Sequence, residues 1–344
     1  MNGKSVLIIY TGGTIGMMKD PETDLLKPFD FEQITNQVPE LNRFAYKIDS
    51  TSFSKPIDSS NMGPSKWIEL ANIINKNYND YNGFVILHGS DTMAFTASAL
   101  SFMLQDLSKP IVLTGSQLPI GTIRTDGKEN LITAIEIAGA SNNGYPIVSE
   151  VSIYFEYQLY RGNRTTKTST EHFHAFESYN YPKLAQAGVE IKYNYKYLRS
   201  VKSIFEKPLQ VNTTLNPNVG VLKLFPGINR LQIIHFFNTP ELVAVVIETF
   251  GSGNAPSDKW FKDALQSGID AGLIIANVSQ CQTGSVHQGK YETSCIFDEL
   301  GVLSGNDLTT EAAVTKLMFL FGKYEEVNTI KQKFSEPICG ELTL

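Results

Sequence analysis

With 344 residues, 42% hydrophobic and 19% charged, the chain is long enough for two domains of ordinary size, and its composition excludes a disordered protein. A net charge of −6 argues against a nucleic-acid partner, which would favour a basic face. The three cysteines, Cys281, Cys295 and Cys339, are widely spaced and the five histidines contain no H-x-x-x-H pair, so no disulfide framework, metal site or cofactor is expected.

The first predicted strand is Val6–Tyr10. Its apolar run is too short for a signal peptide, and no later stretch approaches the roughly 20 apolar residues of a membrane span, so a cytoplasmic protein with free thiols is expected. Phe84–Leu87, Ile111–Thr114 and Val151–Phe155 read as further buried strands, while Pro64–Asn77 and Thr92–Gln105 carry helical spacing of apolar residues. This alternation predicts parallel βαβ units over residues 1–191. A polar stretch, 192–218, reads as a linker with room for one or two edge strands. Strands at Val219–Leu224, Leu242–Thr249 and Leu273–Val278, with helices at Ile228–Asn238, Ser257–Ser267 and Thr310–Phe321, then predict a smaller α/β domain over 219–344.

Two turns stand out, Thr11-Gly-Gly-Thr14-Ile-Gly16 after the first strand and His88-Gly-Ser90-Asp91-Thr92 after the second. In an open parallel sheet the crevice lies outside the carboxyl ends of the strands, so both turns should open onto one place. "TGGTIG" lacks the Lys-Ser/Thr pair of a phosphate loop, and its glycine spacing is not that of a dinucleotide fingerprint. Glycines allow close backbone approach at Gly13 and Gly89, and Thr14, Ser90 and Asp91 offer two hydroxyls and a carboxylate. Taken singly each has a plainer reading: Thr14 or Asp91 as a helix N-cap, Ser90 as a turn residue, Lys167 as an exposed loop cation beside Arg161 and Arg164.

The chain resembles the bacterial-type L-asparaginases, and among them the cytoplasmic type I branch. The resemblance runs through "YTGGTIGM" at Tyr10–Met17, "DSSNM" at Asp58–Met62 and "GFVILHGSDTMAFTASALSFML" at Gly83–Leu104. It continues through "TGSQLP" at Thr114–Pro119, "LYRGNRTTK" at Leu159–Lys167, "GSGNAP" at Gly251–Pro256 and a closing "GELT". It implies a larger N-terminal and a smaller C-terminal Rossmann-like domain, and hydrolysis of L-asparagine to L-aspartate and ammonia through an ester on Thr14. It makes Ser90, Asp91 and Lys167 the relay and puts Ser59 and Ser60 on the substrate's α-carboxylate, with Asp58 a weaker candidate. Asp91 would also face the ammonium, and the backbone at Ser116 would meet the reacting amide. Asn254 would complete a neighbouring subunit's site, so a homodimer or dimer of dimers is expected.

Three departures from the family bear on function. The segment Met18–Asp30 lacks the lid tyrosine of many relatives, so closure would rest on Leu25 or Leu26 and Phe29. Glu248 stands at about the place where some relatives use an Arg, together with a Cys matching Cys281, to bind regulatory asparagine. Ser90 replaces the usual Thr.

Two alternatives compete with a strict asparaginase. A mixed glutaminase-asparaginase differs by one methylene of substrate, which a pocket discriminates by only about 1–3 kcal/mol. The asparaginase-like component of a tRNA-dependent amidotransferase carries an extra N-terminal domain, for which a catalytic strand within the first ten residues leaves no room. A non-catalytic amino-acid binder does not need Thr14, Asp91 and Lys167 together.

Overall fold

The computed structural model describes residues 4–19, 26–28, 38–201, 205, 207–289 and 292–344. They fall into two units, Met1–Thr213 and Thr214–Leu344.

In the N-terminal unit the Val/Ile/Leu-rich runs form an eight-stranded sheet. Its order is Lys192–Tyr193, Ala185–Gln186, Gln158–Arg161, Val151–Phe155, Ile111–Thr114, Gly83–Leu87, Ser5–Tyr10 and Lys47–Ser52. The last five of these strands run parallel. Gly83–Leu87, Ile111–Thr114 and Val151–Phe155 are buried throughout, as strands covered on both faces must be. The edge strand Lys47–Ser52, "KIDSTS", is polar and part exposed, which protects an open ladder from foreign pairing.

The helices follow their apolar faces. Pro64–Asn77 starts with proline at its first turn and buries Trp67, Leu70, Ala71 and Ile74, one stripe of a helix. Met93–Met103 is buried on nearly every side, and Ala97 packs so near the chain that a β-carbon on Gly162 would come within 2.9 Å of it. Gly127–Gly139 packs behind Ile111–Thr114.

The far side of the sheet is not parallel. After Val151–Phe155 the chain turns at Glu156 and Tyr157, both with positive φ (45° and 64°), and Gln158–Arg161 returns antiparallel. Such a pair of left-handed residues matches the twist of a tight hairpin. The reversal sends the chain into a turn at Gly162–Arg164 and a short strand, Thr166–Lys167, which pairs with Phe176–Glu177. Residues 192–193 pair with 185–186, and 210–211 pair with 104–105.

The C-terminal unit holds a four-stranded parallel sheet in sequence order: Val219–Lys223, Ala244–Thr249, Ile274–Ser279 and Leu303–Ser304. Its core gathers Val245, Ile247, Phe261, Ile275 and Phe297. The helix Arg230–Phe237 begins on a capping box between Asn229 and Gln232. Thr310–Lys323 carries Lys316, which is fully buried against fully buried Glu341 at 2.6 Å. No helix among the described residues is long and apolar enough to cross a membrane.

Candidate active site

Three turns at the carboxyl ends of adjacent strands pack into one another. Thr11 donates its N–H and its hydroxyl to the Leu87 carbonyl at 3.0 and 2.9 Å, and its own carbonyl accepts Ile57 N–H at 2.9 Å. Gly12 (φ +125°) leaves no space for a β-carbon, which would fall 2.0 Å from the Ile57 carbonyl oxygen. At Gly13 (φ +90°) a β-carbon would lie 2.5 Å from Gly89 N, and at Gly89 it would lie 2.5 Å from Ser59 Oγ. The 11–14 turn therefore meets Ile57 and the 88–92 turn backbone to backbone, while Gly89 packs on the Ser59 side chain, and none of these three glycines leaves room for a β-carbon.

Thr14 is half-buried in a short 3-10 turn, Thr14–Gly16, capped by Gly13 without a side-chain bond. The N-cap reading of Thr14 is thus excluded; its hydroxyl is not engaged as that cap. The turn is fixed from below: Tyr10 donates its hydroxyl to the Gly16 carbonyl at 2.9 Å, and its ring would clash with any β-carbon on Gly16. Burial pushes the Tyr10 phenol up to about 12, so it stays a donor.

Lys167 is no exposed loop cation. Its side chain is 15% exposed, and Nζ donates to Ser90 Oγ at 2.9 Å and to Asp91 Oδ1 at 2.6 Å. The Asp91 carboxylate faces this ammonium instead of capping the helix behind it; Thr92 occupies the cap position, again without a side-chain cap bond. Thr92 turns its hydroxyl to the Ser59 carbonyl at 2.7 Å and so ties the second turn to the third. Arg161 and Arg164, the neighbouring cations, are buried structural residues, Arg161 paired with Glu150 at 2.5 Å.

In the Asp58–Asn61 turn, Ser59 is buried against Gly89 while Asp58 and Ser60 are exposed. Asp58 accepts both the N–H and the hydroxyl of Ser60 at 2.8 Å, and these bonds hold its carboxyl below the usual range. Ser116 is buried, with its hydroxyl on the Leu118 carbonyl at 2.6 Å, so the backbone is what this residue offers. Asn254 belongs to the C-terminal unit, in a turn closed by its bridge to Phe250.

His88 lies under the cluster and is fully buried. Nδ1 donates to the Gly89 carbonyl at 2.6 Å, which leaves Nε2 to accept from Thr96 Oγ1 at 2.8 Å; Thr96 in turn accepts from Trp67 Nε1 at 3.0 Å. The chain of donors fixes one neutral tautomer, and burial lowers the imidazole to about 4. Asp126 and Asn130, which the sequence reading passed over, grip the loop that carries Ser116. Their only signal in sequence was an acid ahead of an apolar helix, which reads as a cap. Of the lid segment, the backbones of Met17–Lys19 and Leu26–Pro28 pair antiparallel, and Leu25 and Phe29 lie outside the described residues.

Set beside known proteins, residues 5–199 match the family model "Asparaginase, N-terminal" and residues 218–334 match "Glutaminase/Asparaginase C-terminal domain". The chain belongs to the asparaginase/glutaminase family. It is 39% identical to L-asparaginase 1 of Escherichia coli strain K12 over all of this chain and 99% of that one. A crystal structure of L-asparaginase I from Vibrio cholerae superposes with a TM-score of 0.89 at 37% identity, covering 99% of this chain and all of that one. A glutamyl-tRNA(Gln) amidotransferase component of Pyrococcus horikoshii is more distant, 32% identical over 98% of this chain and 76% of its own length.

Proposed function

We propose that the protein is a cytoplasmic amidohydrolase that converts L-asparagine and water to L-aspartate and ammonia. The observation that carries this reading is Lys167 Nζ bridging Ser90 and Asp91, in a turn packed against the one that bears Thr14.

A carboxamide is a poor electrophile, so the reaction is divided in two. Thr14 Oγ1 attacks the side-chain carbonyl carbon; the C–N bond breaks, ammonia leaves with the proton given up by Thr14, and an ester to Thr14 remains. Water then attacks the ester, restoring the threonine hydroxyl and releasing L-aspartate. Ser90, Asp91 and Lys167 carry the proton between the attacking oxygen and the departing nitrogen. Exposed Asp91 meets the substrate's ammonium, and the Ser59–Ser60 turn, with Asp58 as its brace, receives the α-carboxylate. Gly13 and Gly89 let the backbone come close to the reacting carbonyl, and the Ser116 backbone meets the amide. Asn254 of a second copy completes the site, so the working unit is a homodimer or a dimer of dimers.

The experiment is ammonia release from L-asparagine and L-glutamine by purified protein, with mass measured by light scattering at the assay concentration. The reading requires turnover of asparagine, a far smaller specificity constant on glutamine, and no fully active monomer. Comparable constants on the two amides would make it a mixed glutaminase-asparaginase, and no ammonia from either would defeat it.

A further inference from the structure

We propose that Asp126 and Asn130, at the start of the helix Gly127–Gly139, are positioning residues that set the Gly115–Leu118 backbone against the Thr14 turn. The inference rests on the reading above, in which that backbone meets the reacting amide.

Asp126 precedes the helix where a capping side chain would stand, yet it makes no cap bond. Its carboxylate turns outward to the loop. Oδ1 accepts the N–H of Gln117 and of Leu118, both at 3.1 Å, and Oδ2 accepts Gln117 N–H again at 3.0 Å. One turn further on, fully buried Asn130 donates from Nδ2 to the Gly115 carbonyl at 3.0 Å and to Asp126 Oδ2 at 3.2 Å. Its Oδ1 accepts Glu156 N–H at 3.0 Å. Two adjacent side chains on one helical face thus hold both ends of the loop, one by its carbonyl and one by its N–H groups.

The same helix start touches the nucleophile turn. A β-carbon on Gly127 would lie 3.2 Å from Ser116 Cβ and 3.4 Å from Ile15 Cγ1, so Ser116 and the residue after Thr14 close over one point of the backbone. The Ile15 carbonyl also accepts Ile120 N–H at 3.4 Å. Asp126 is 8% exposed, and burial works to raise its carboxyl, opposed by the Gln117 and Leu118 N–H groups that hold the anion. A buried carboxylate spent on two backbone N–H groups of one loop fixes that loop far better than solvent would. Fixing it matters because misplacing a reacting group by about 1 Å can cost about a hundredfold in rate.

The test replaces Asp126 by Asn, which keeps the shape but sets an NH2 group against Asn130 or the loop N–H groups. For Asp126→Asn we expect kcat on L-asparagine to fall at least about tenfold, with binding of L-aspartate within about threefold of wild type and a melt showing folded protein. A general loss of structure would weaken aspartate binding in proportion to kcat, and that result would overturn the proposal. Gly127→Ala, whose added methyl would crowd Thr125 Oγ1 at 3.0 Å and Ser116 Cβ at 3.2 Å and reach Ile15 at van der Waals distance, is the second variant, and it should show the same separation of kcat from binding even where Asp126→Asn does not fold. Thr14→Ala is measured alongside. An inactive Thr14→Ala beside Asp126→Asn or Gly127→Ala of wild-type kcat would defeat the positioning role alone, whereas a turning-over Thr14→Ala would remove the site reading and this inference with it.

Discussion

Lys167 Nζ and Ser90 Oγ stand 2.9 Å apart although 77 residues separate them in the chain. The amine donates and the hydroxyl accepts, and in the proposed relay the oxygen is what matters. The γ-methyl of the family's usual threonine adds only restriction of χ1. Ser90→Thr should therefore change kcat by less than about tenfold, a difference of roughly 1.4 kcal/mol. Ser90→Ala removes the oxygen and should lose at least about a hundredfold. Ammonia release at one pH by the three proteins, with melts to verify folding, checks this; near-wild-type turnover of Ser90→Ala would remove Ser90 from the relay.

His88 predicts how stability depends on acid. Its folded pKa is lowered to about 4 from the ordinary 6.5. Above pH 6.5 the imidazole is neutral in both states and its contribution is complete. Between pH 6.5 and about 4 the unfolded chain takes a proton that the folded one refuses, so stability drops as pH falls, by about 1.4 kcal/mol per pH unit. His88→Gln has no such proton to take. Denaturant unfolding of both proteins from pH 7.5 to 4.5 should show the wild type losing stability faster, and parallel curves would mean that the buried imidazole does not titrate as its surroundings require.

The pair Lys316–Glu341 predicts a stability defect within the C-terminal unit. Besides Glu341, Lys316 donates to the carbonyls of Phe334 and Glu336, both at 2.7 Å, and Glu341 accepts the N–H groups of Ile338 and Cys339 at 2.9 and 2.8 Å. The ammonium thus fastens the C-terminal turn beneath the helix Thr310–Lys323. Lys316→Met leaves a buried carboxylate without its cation and should cost about 3–5 kcal/mol. Glu341→Gln keeps the turn's acceptor and should cost less. Chemical denaturation ranks them, and equal stabilities of Lys316→Met and wild type would contradict the assignment.

Glu248 predicts simple kinetics. Its carboxylate accepts the Thr310 hydroxyl at 2.7 Å and lies 3.6 Å from Lys223 Nζ. A negative side chain held there repels the α-carboxylate of any second asparagine approaching it. Initial rates against asparagine concentration should be hyperbolic. A Hill coefficient near two would show a regulatory site that this reading denies.

The strands were legible because a sheet covered on both faces demands unbroken apolar runs, and Val6–Tyr10, Phe84–Leu87 and Ile111–Thr114 supply them. The hydroxyl turns were legible because they follow those strands directly. Less could be read where tertiary contacts decide. The hairpin at Glu156–Tyr157 has no glycine to announce its left-handed residues, so the return of Gln158–Arg161 was hidden. Asp91 and Asp126 both precede helices and look alike in sequence, yet neither caps: one meets Lys167, the other a loop, and only the distant partner reveals the difference.

Because glycines 12, 13 and 89 admit no side chain between their turns, the proposed active centre has no existence in any single stretch of chain. Thr11 reaches Leu87 across 76 residues, and Lys167 reaches Asp91 across another 76. A nascent chain that has folded its first strand and helix holds Thr14 without the partners proposed for it. Contacts so remote in sequence form late, after the entropy of closing long loops has been met. Under the proposed function, activity should then appear in refolding no earlier than the slowest step of sheet assembly, and the emerging polypeptide should be chemically silent at least until Lys167 has left the ribosome.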